Sequence, residues 1–373
     1  MNLSSLAPTG NPIVCHASDE RYQELFPKHR LIWVDSGTSA LAWSLLHIKA
    51  QRGAELARPK VIVPGYCCPD LLAAALFAGY DPIIVDIDVS DPSYCIKQLQ
   101  EAITAEVIAI IAINFLGVKE RLAELSAVAI KAGIAIIEDN AQWFPDDADE
   151  AQLTGDYVTF SFGRGKAISL LGGGLVAVKN SEVADVPQLA ESVSDRFWFL
   201  KVQLYHLLTN RYFYYWLEKV TFLGLGSTVF HPLTEISALS DKRKGAVWRN
   251  VVEYSNRCRE NESLYLQELI SNQMGAVLAS ARRGRLLRFP YLFRDQETRD
   301  KAYEALKQQG LGGSKMYGEV LYQIDGVASL GLTFPVLPNA ESFAKRFLTL
   351  PTHQGVDKSS ALRIVEIINH LEA

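Results

Sequence analysis

Short apolar runs recur through the first half of the chain, with helical patterns between them. Val61–Val63, Ile83–Ile87, Val107–Ile113, Ile134–Glu138, Tyr157–Phe162 and Leu175–Val178 read as strands. Between them, Ala40–Ala50, Asp70–Ala78 and Lys119–Ala132 carry apolar residues at spacings of three and four, the period of a helix with one buried face. The strands are continuously apolar rather than alternating, so both faces are expected to be covered. The predicted fold is therefore α/β, a mainly parallel sheet clothed by helices. This pattern fades after about Asn180. An aromatic segment, a charged stretch from Asp241 to Glu262, the run RLLRFPYLF, a helical pattern around Tyr303–Gln308 and a final helix from about Ser359 follow. The predicted organisation is an N-terminal arm (1–30), a large domain (31–239) that includes a divergent aromatic part (191–239), and a smaller C-terminal α+β domain (240–373).

Composition narrows the function classes. The 373 residues are 49% hydrophobic and 21% charged, with a formal net charge of -5. That balance disfavours nucleic acid or an anionic membrane as the main partner. The five cysteines show no CxxC and no metal-ligand spacing, so they read as free thiols of a reducing cytoplasm, and no metal is expected. The opening MNLSSLAPTGNPIV lacks the basic start and apolar core of a signal peptide. The aromatic segment Arg196–Gly226 is broken by Lys201, His206, Arg211, Glu218 and Lys219, which rules out a spanning helix of about 20 uncharged residues. Two amphipathic helices packed on a partner subunit are expected there, and an interfacial membrane helix is the competing reading.

Ligands of such sheets gather at the carboxyl ends of the strands, so the polar residues just past each run matter most. Ser36-Gly37-Thr38-Ser39 opens a helix, where it serves either as a plain cap or as a cradle for a phosphate. Asp139 follows IAIIE, again as a helix cap or as a working acid, with Gln142 one turn on; Asp86 is a weaker parallel. Ser161 ends another strand. Lys166 lies five residues later, in a bend that Gly163 and Gly165 permit and ahead of Gly172-Gly173-Gly174. A phosphate loop of the GxxxxGK[ST] kind fails here, because Phe160 stands five before Gly165 and Ala167 replaces the magnesium-binding hydroxyl. An amine, a carboxylate and a set of hydroxyls together match pyridoxal 5'-phosphate, which needs a Schiff-base lysine, an acid at its ring nitrogen and donors for its phosphate. Lys166, Asp139 and the hydroxyls of Thr38, Ser39 and Ser161 are the candidates, and the pyridinium is expected to depress the Asp139 pKa.

In order and at matching spacing, SGTSAL (36–41), VIVPGYCC (61–68), IIVDID (83–88), IIEDNAQ (136–142), FSFGRGK (160–166), GGGLVAVKN (172–180) and FLTLPTHQG (347–355) resemble the DegT/DnrJ/EryC1/StrS family. These are sugar aminotransferases with the aspartate-aminotransferase fold (fold type I). The likeness covers most of residues 30–180 and, more loosely, 285–373. It implies Lys166 as the Schiff-base lysine, Asp139 at the pyridine nitrogen, Gln142 near the ring hydroxyl, and Ser161, Thr38 and the Gly37 backbone on the phosphate. It further implies a homodimer that moves an amino group from glutamate to a nucleotide-linked keto sugar, for a polysaccharide or natural product. A related dehydratase branch carries histidine at the lysine position, so Lys166 argues for transamination. Two departures stand out. Cys68 occupies the position of the family's ring-stacking aromatic, with Tyr66 the nearest aromatic, and Arg164 replaces a small residue. Arg164 is either a fork for a substrate carboxylate or phosphate, or a surface ion pair. His353 matches a family position and reads as a packed structural histidine. Other chemistry on the same cofactor, such as elimination or dehydration, and a non-catalytic scaffold or regulator are the competing functions.

Overall fold

The computed structural model describes residues 4–15, 19–52, 55–179, 187–192, 194–219 and 228–373. Asn180 of the glycine motif, the first three residues and the 220–226 end of the aromatic segment lie outside them. Strands β1 (His29–Val34), β2 (Lys60–Pro64) and β3 (Asp81–Val85) are followed by a short hairpin of β4 (Ile87–Asp88) and β5 (Asp91–Tyr94). Then come β6 (Val107–Ile113), β7 (Ala135–Asp139), β8 (Tyr157–Ser161) and β9 (Gly174–Lys179). The main sheet is seven-stranded in the order β1-β9-β8-β7-β6-β2-β3. β9 pairs antiparallel with both neighbours and the other pairings are parallel, as the continuous apolar runs predict. Within β6, Ala109 and Ile111 join one core while Ile110 and Ala112 join the core on the opposite face.

Helices α1 (Gly37–Arg52), α2 (Asp70–Phe77), α3 (Ile96–Ala102) and α4 (Leu122–Ala132) cover the sheet. The expected strand over Ile83–Ile87 is interrupted at Asp86. Its buried carboxylate accepts from the N–H groups of Ile87, Asn339 and Ala340, which ties the strand end to a later helix and ends the ladder. β1 ends in the short apolar run Leu31–Val34 and pairs with β9, Val34 opposite Gly174.

The aromatic segment forms α5 (Trp198–Thr209) and α6 (Arg211–Glu218), as expected. The inner face of α5 is buried through Trp198, Val202 and Tyr205. After it come α7 (Asp241–Ser255), α8 (Glu260–Glu268), α9 (Gly275–Leu278), β10 (Phe289–Leu292), α10 (Gln296–Gln308), α11 (Pro338–Arg346), β11 (Phe347–Leu350) and α12 (Lys358–Glu372). α11 is the helix that Asp86 caps, and β10 pairs antiparallel with β11. No described helix is long and apolar enough to cross a membrane.

The N-terminal arm threads between these parts. The Ser5 N–H donates to the Arg211 carbonyl, Leu6 to Gly310, and Ile13 to the His206 ring. His353 pins the arm from below: its Nε2 meets the Ala7 carbonyl at 2.9 Å while its Nδ1 accepts from the Gly355 N–H. Burial lowers the His353 pKa from 6.5 to about 4, the Ala7 carbonyl opposing only part of that fall. A depressed histidine is neutral in the fold between those values, where the unfolded chain takes up a proton. Its stabilising contribution is therefore complete above pH 6.5 and is lost as pH falls toward 4. Between pH 7.5 and 5 this one group is expected to cost the fold about 2 kcal/mol. Urea unfolding at the two pH values should show His353→Gln with a pH dependence smaller by that amount; equal dependence in the two proteins would refute the assignment.

Candidate active site

The parallel strands deliver their carboxyl ends to one edge, where a cavity of about 220 Å³ opens. The connection from β8 to β9 holds Lys166. Its bend is closed by backbone bonds: the Phe162 N–H donates to the Gly173 carbonyl, and the Phe162 carbonyl accepts from the N–H groups of Leu170 and Gly172. α5 buttresses it, the Trp198 indole donating to the Leu170 carbonyl at 2.8 Å. Lys166 is half-buried and lines the cavity, and its charge acts on both Asp139 and the Cys68 thiol.

Gly37, Thr38 and Ser161 line one side. Here the first turn of α1 lies against the end of β8, so closely that a Cβ on Gly37 would stand 2.5 Å from the Ser161 Cβ. The N–H groups of that turn and the Ser161 hydroxyl thereby share one small space, with the positive end of a 16-residue helix behind them. Ser39 departs from expectation. It is fully buried and faces away from the cavity; its N–H donates to Ser36 Oγ, and its hydroxyl accepts from the same Ser36. Capping and cradling thus coexist, divided between Ser36 and Ser39 on one hand and Gly37 and Thr38 on the other.

Two adjacent acids end β7, and strand alternation sends them opposite ways. Glu138 is spent on structure, accepting from Asn114, Asn140 and the N–H groups of Thr154 and Gly155. Asp139 turns to the cavity and accepts from the Ala141 N–H at 2.9 Å. Burial pushes its pKa up, outweighing that N–H and the Lys166 charge; the depressed value expected from the sequence concerns the carboxylate with a pyridinium beside it. Lys166 acts on it only through space, and no cation among the described residues forms an ion pair with it.

Gln142 lines the cavity and works mainly as a bracket. Its Oε1 accepts from the Leu116 N–H and its Nε2 donates to the Tyr317 hydroxyl at 2.8 Å. Tyr317, which the sequence reading missed, forms a wall of the cavity. It arrives 175 residues after Gln142 with no local motif around it. Cys68 lines the cavity at the position where the family's aromatic is expected, with its thiol pushed up to about 12 by burial. Tyr66 does not reach it. The residue is 1% exposed, its ring wedged against Phe115, Tyr317, Phe343 and Phe347, because it points from the end of β2 into the seam with α11 and β11. Arg164 is exposed at the rim and lines the cavity, whereas Asp86 and His353 lie elsewhere.

A model of the DegT/DnrJ/EryC1/StrS aminotransferase family matches residues 19–369. The chain belongs to that family. Over 345 residues it is 25% identical to the UDP-N-acetyl-3-dehydro-alpha-D-glucosamine 3-aminotransferase of Acidithiobacillus ferrooxidans, covering 89% of this chain and 82% of that one. Protein MosB of Rhizobium meliloti is 29% identical over 184 residues, a match spanning 49% of this chain and 34% of that protein. A putative sugar aminotransferase of Streptococcus pneumoniae, solved in its PLP form, superposes with a TM-score of 0.69 at 17% identity, over 98% of this chain and 92% of that one. Membership makes the protein one of an aminotransferase family, and the superposition gives it the fold of that neighbour, which was solved with PLP. The donor set fits that cofactor: a lysine in the cavity, a buried acid short of a cation, and a phosphate-sized cradle at a helix N-terminus.

Because the cradle depends on the missing Cβ of Gly37, Gly37→Ala should push α1 away from Ser161. We expect at least a roughly tenfold loss in cofactor affinity, read by titrating the apoprotein with pyridoxal phosphate in the near-visible, together with a loss of stability of about 1–3 kcal/mol from the overpacked contact. Unaltered affinity would show that the cradle is not the phosphate site.

Proposed function

We propose that the protein transfers an amino group from glutamate to a nucleotide-linked keto sugar, as a cytoplasmic homodimer. The observation that carries this reading is the shared cavity of Lys166, Asp139, Ser161 and Thr38 at the sheet's carboxyl edge. When bound, pyridoxal phosphate supplies an aldehyde that captures the amine and a ring that accepts the electrons of a broken Cα–H bond. The first turn of α1 and the Ser161 hydroxyl hold the phosphate. Asp139 would hold the ring nitrogen, its negative charge keeping that nitrogen protonated. The Lys166 amine would anchor the cofactor and, when free, would take up the proton from the substrate Cα. Gln142 and Tyr317 form the wall that limits water on that side. A sugar as acceptor is supported by the Acidithiobacillus relative, which acts on a nucleotide-linked keto sugar by its name.

Lys166→Ala should abolish turnover, and Asp139→Asn should lower it about 100- to 1000-fold with the fold intact. In the wild-type protein, near-visible absorbance should shift on adding L-glutamate, and borohydride reduction should fix the cofactor to the peptide containing Lys166. Wild-type-like turnover in either variant would defeat the role assignment, and a spectrum indifferent to glutamate would defeat the choice of donor.

The second copy is supported by the outer faces of α5 and α6. Leu200 is 64% exposed and Trp216 62%, with Leu204 and Phe213 beside them, an apolar surface that calls for a cover. Paired Leu200→Glu and Leu204→Glu changes are expected to shift sedimentation from dimer toward monomer; an unchanged dimer would move the interface elsewhere.

A further inference from the structure

Arg288 carries a charge that the fold does not answer. It stands just before β10, half-buried, with its Nε sealed from solvent and without a hydrogen-bond partner. Its Nη1 reaches only the thioether of Met316, at 4.0 Å. No carboxylate among the described residues pairs with it. The groups it faces are phenols: Tyr205 from α5, Tyr214 from α6 and Tyr317 from the cavity wall. Burial lowers the Arg288 pKa to about 10, against the partial support of those three hydroxyls. Tyr205 and Tyr214 also face Arg164 at the cavity rim. Thr9 packs on Gly165, next to Arg164, within hydrogen-bond reach of Tyr205. The acid that acts on Tyr214 is Glu218, already engaged by the Ser5 hydroxyl at 2.7 Å.

A guanidinium offers five donors in a rigid fork and holds its charge across the ordinary pH range. Kept from water without acceptors, it is destabilising unless an anion meets it. Arg288, so enclosed, and Arg164, exposed at the rim, face the same two tyrosines beside the cavity of Lys166, and together have the composition of a receptor for a carboxylate or phosphate. We propose that Arg288, with Arg164, Tyr205 and Tyr214, forms an anion subsite next to the active-site cavity that takes the charged end of a substrate. This rests on the reading of the Lys166 cavity as the catalytic centre. The anion is either a carboxylate of the amino donor or the diphosphate of the acceptor, and the same arginine fork serves both chemistries. The aromatic segment then contributes to specificity directly, since Tyr205 and Tyr214 are its inward-facing residues at this point.

The test is calorimetric titration of the holoenzyme with glutarate, a dicarboxylate that cannot react, and separately with inorganic pyrophosphate. We expect one of the two to bind the wild-type protein and to bind Arg288→Met about 10- to 100-fold more weakly, with partial recovery in Arg288→Lys. The KM of the matching substrate should rise by the same factor while kcat stays nearly constant. A change confined to glutarate assigns the donor carboxylate, and one confined to pyrophosphate assigns the nucleotide. If neither anion binds the wild-type protein, or if folded Arg288→Met binds both normally, the subsite does not exist. Should Arg288→Met fail to fold, Tyr214→Phe decides, with a several-fold loss expected and unaltered affinity overturning the proposal. Repeating the titrations on Lys166→Ala, which cannot turn over, separates failure of the subsite from failure of the transaminase reading.

Discussion

The closeness of three backbones, at Gly37, Ser161 and Gly174, is the constraint on which the site depends. The first turn of α1 lies on the end of β8, and Gly174, opposite Ser161 in the ladder, would drive any Cβ into the Ser36 carbonyl. Only with both glycines can β1, β9 and β8 close up beneath α1. That closure puts helix N–H groups and a hydroxyl into one space and brings the β8–β9 connection, with Lys166 on it, to the same edge. The glycines around the lysine are thus chiefly a matter of packing distance. Gly172 and Gly173 add backbone at φ 141° and 108°, which lets the connection turn back into β9.

This arrangement leaves charges out of balance. Asp139 is buried with one backbone donor at 2.9 Å, and its raised pKa says that solvation lost exceeds interactions gained. Glu138, next to it and equally buried, is surrounded by donors from Asn114, Asn140, Thr154 and Gly155. The contrast between neighbours of the same chemistry distinguishes an acid that completes the fold from one that waits for a cation. A buried carboxyl that is destabilised alone gains most from a protonated ring nitrogen beside it, so cofactor binding and acid ionisation reinforce one another.

What could be seen in the sequence was local. Continuous apolar strands, helix spacing and polar residues just past strand ends placed the parallel sheet and brought Lys166, Asp139, Gln142, Ser161, Gly37 and Thr38 to one edge. The misses have physical causes. Ser39 looks identical to Thr38 as a hydroxyl, but the turn of the helix buries it against Ser36. Tyr66 is an aromatic near the right position, yet the direction of the chain leaving β2 sends it into the seam with Phe343 and Phe347. Tyr317 and Arg288 were invisible because only tertiary packing, across more than a hundred residues, brings the first into the cavity wall and the second beside it.

That division between local and distant contributions has a consequence for how the site can vary. The chemistry that every substrate shares uses residues fixed by adjacent strands and one helix turn, where a displacement of an ångström is ruined by backbone contact. The proposed anion subsite draws on α5, α6, the N-terminal arm and the turn at Met316–Tyr317, which meet side chain to side chain. Such contacts tolerate replacement, since a new side chain alters a pocket without moving the sheet. α5 is the exception that couples the two layers. Trp198 is bonded to the Leu170 carbonyl of the lysine connection, and Tyr205, two turns on, faces both Arg164 and Arg288. One rigid helix therefore touches the loop that holds the amine and the arginines around it, so a change along α5 has a direct mechanical route to Lys166.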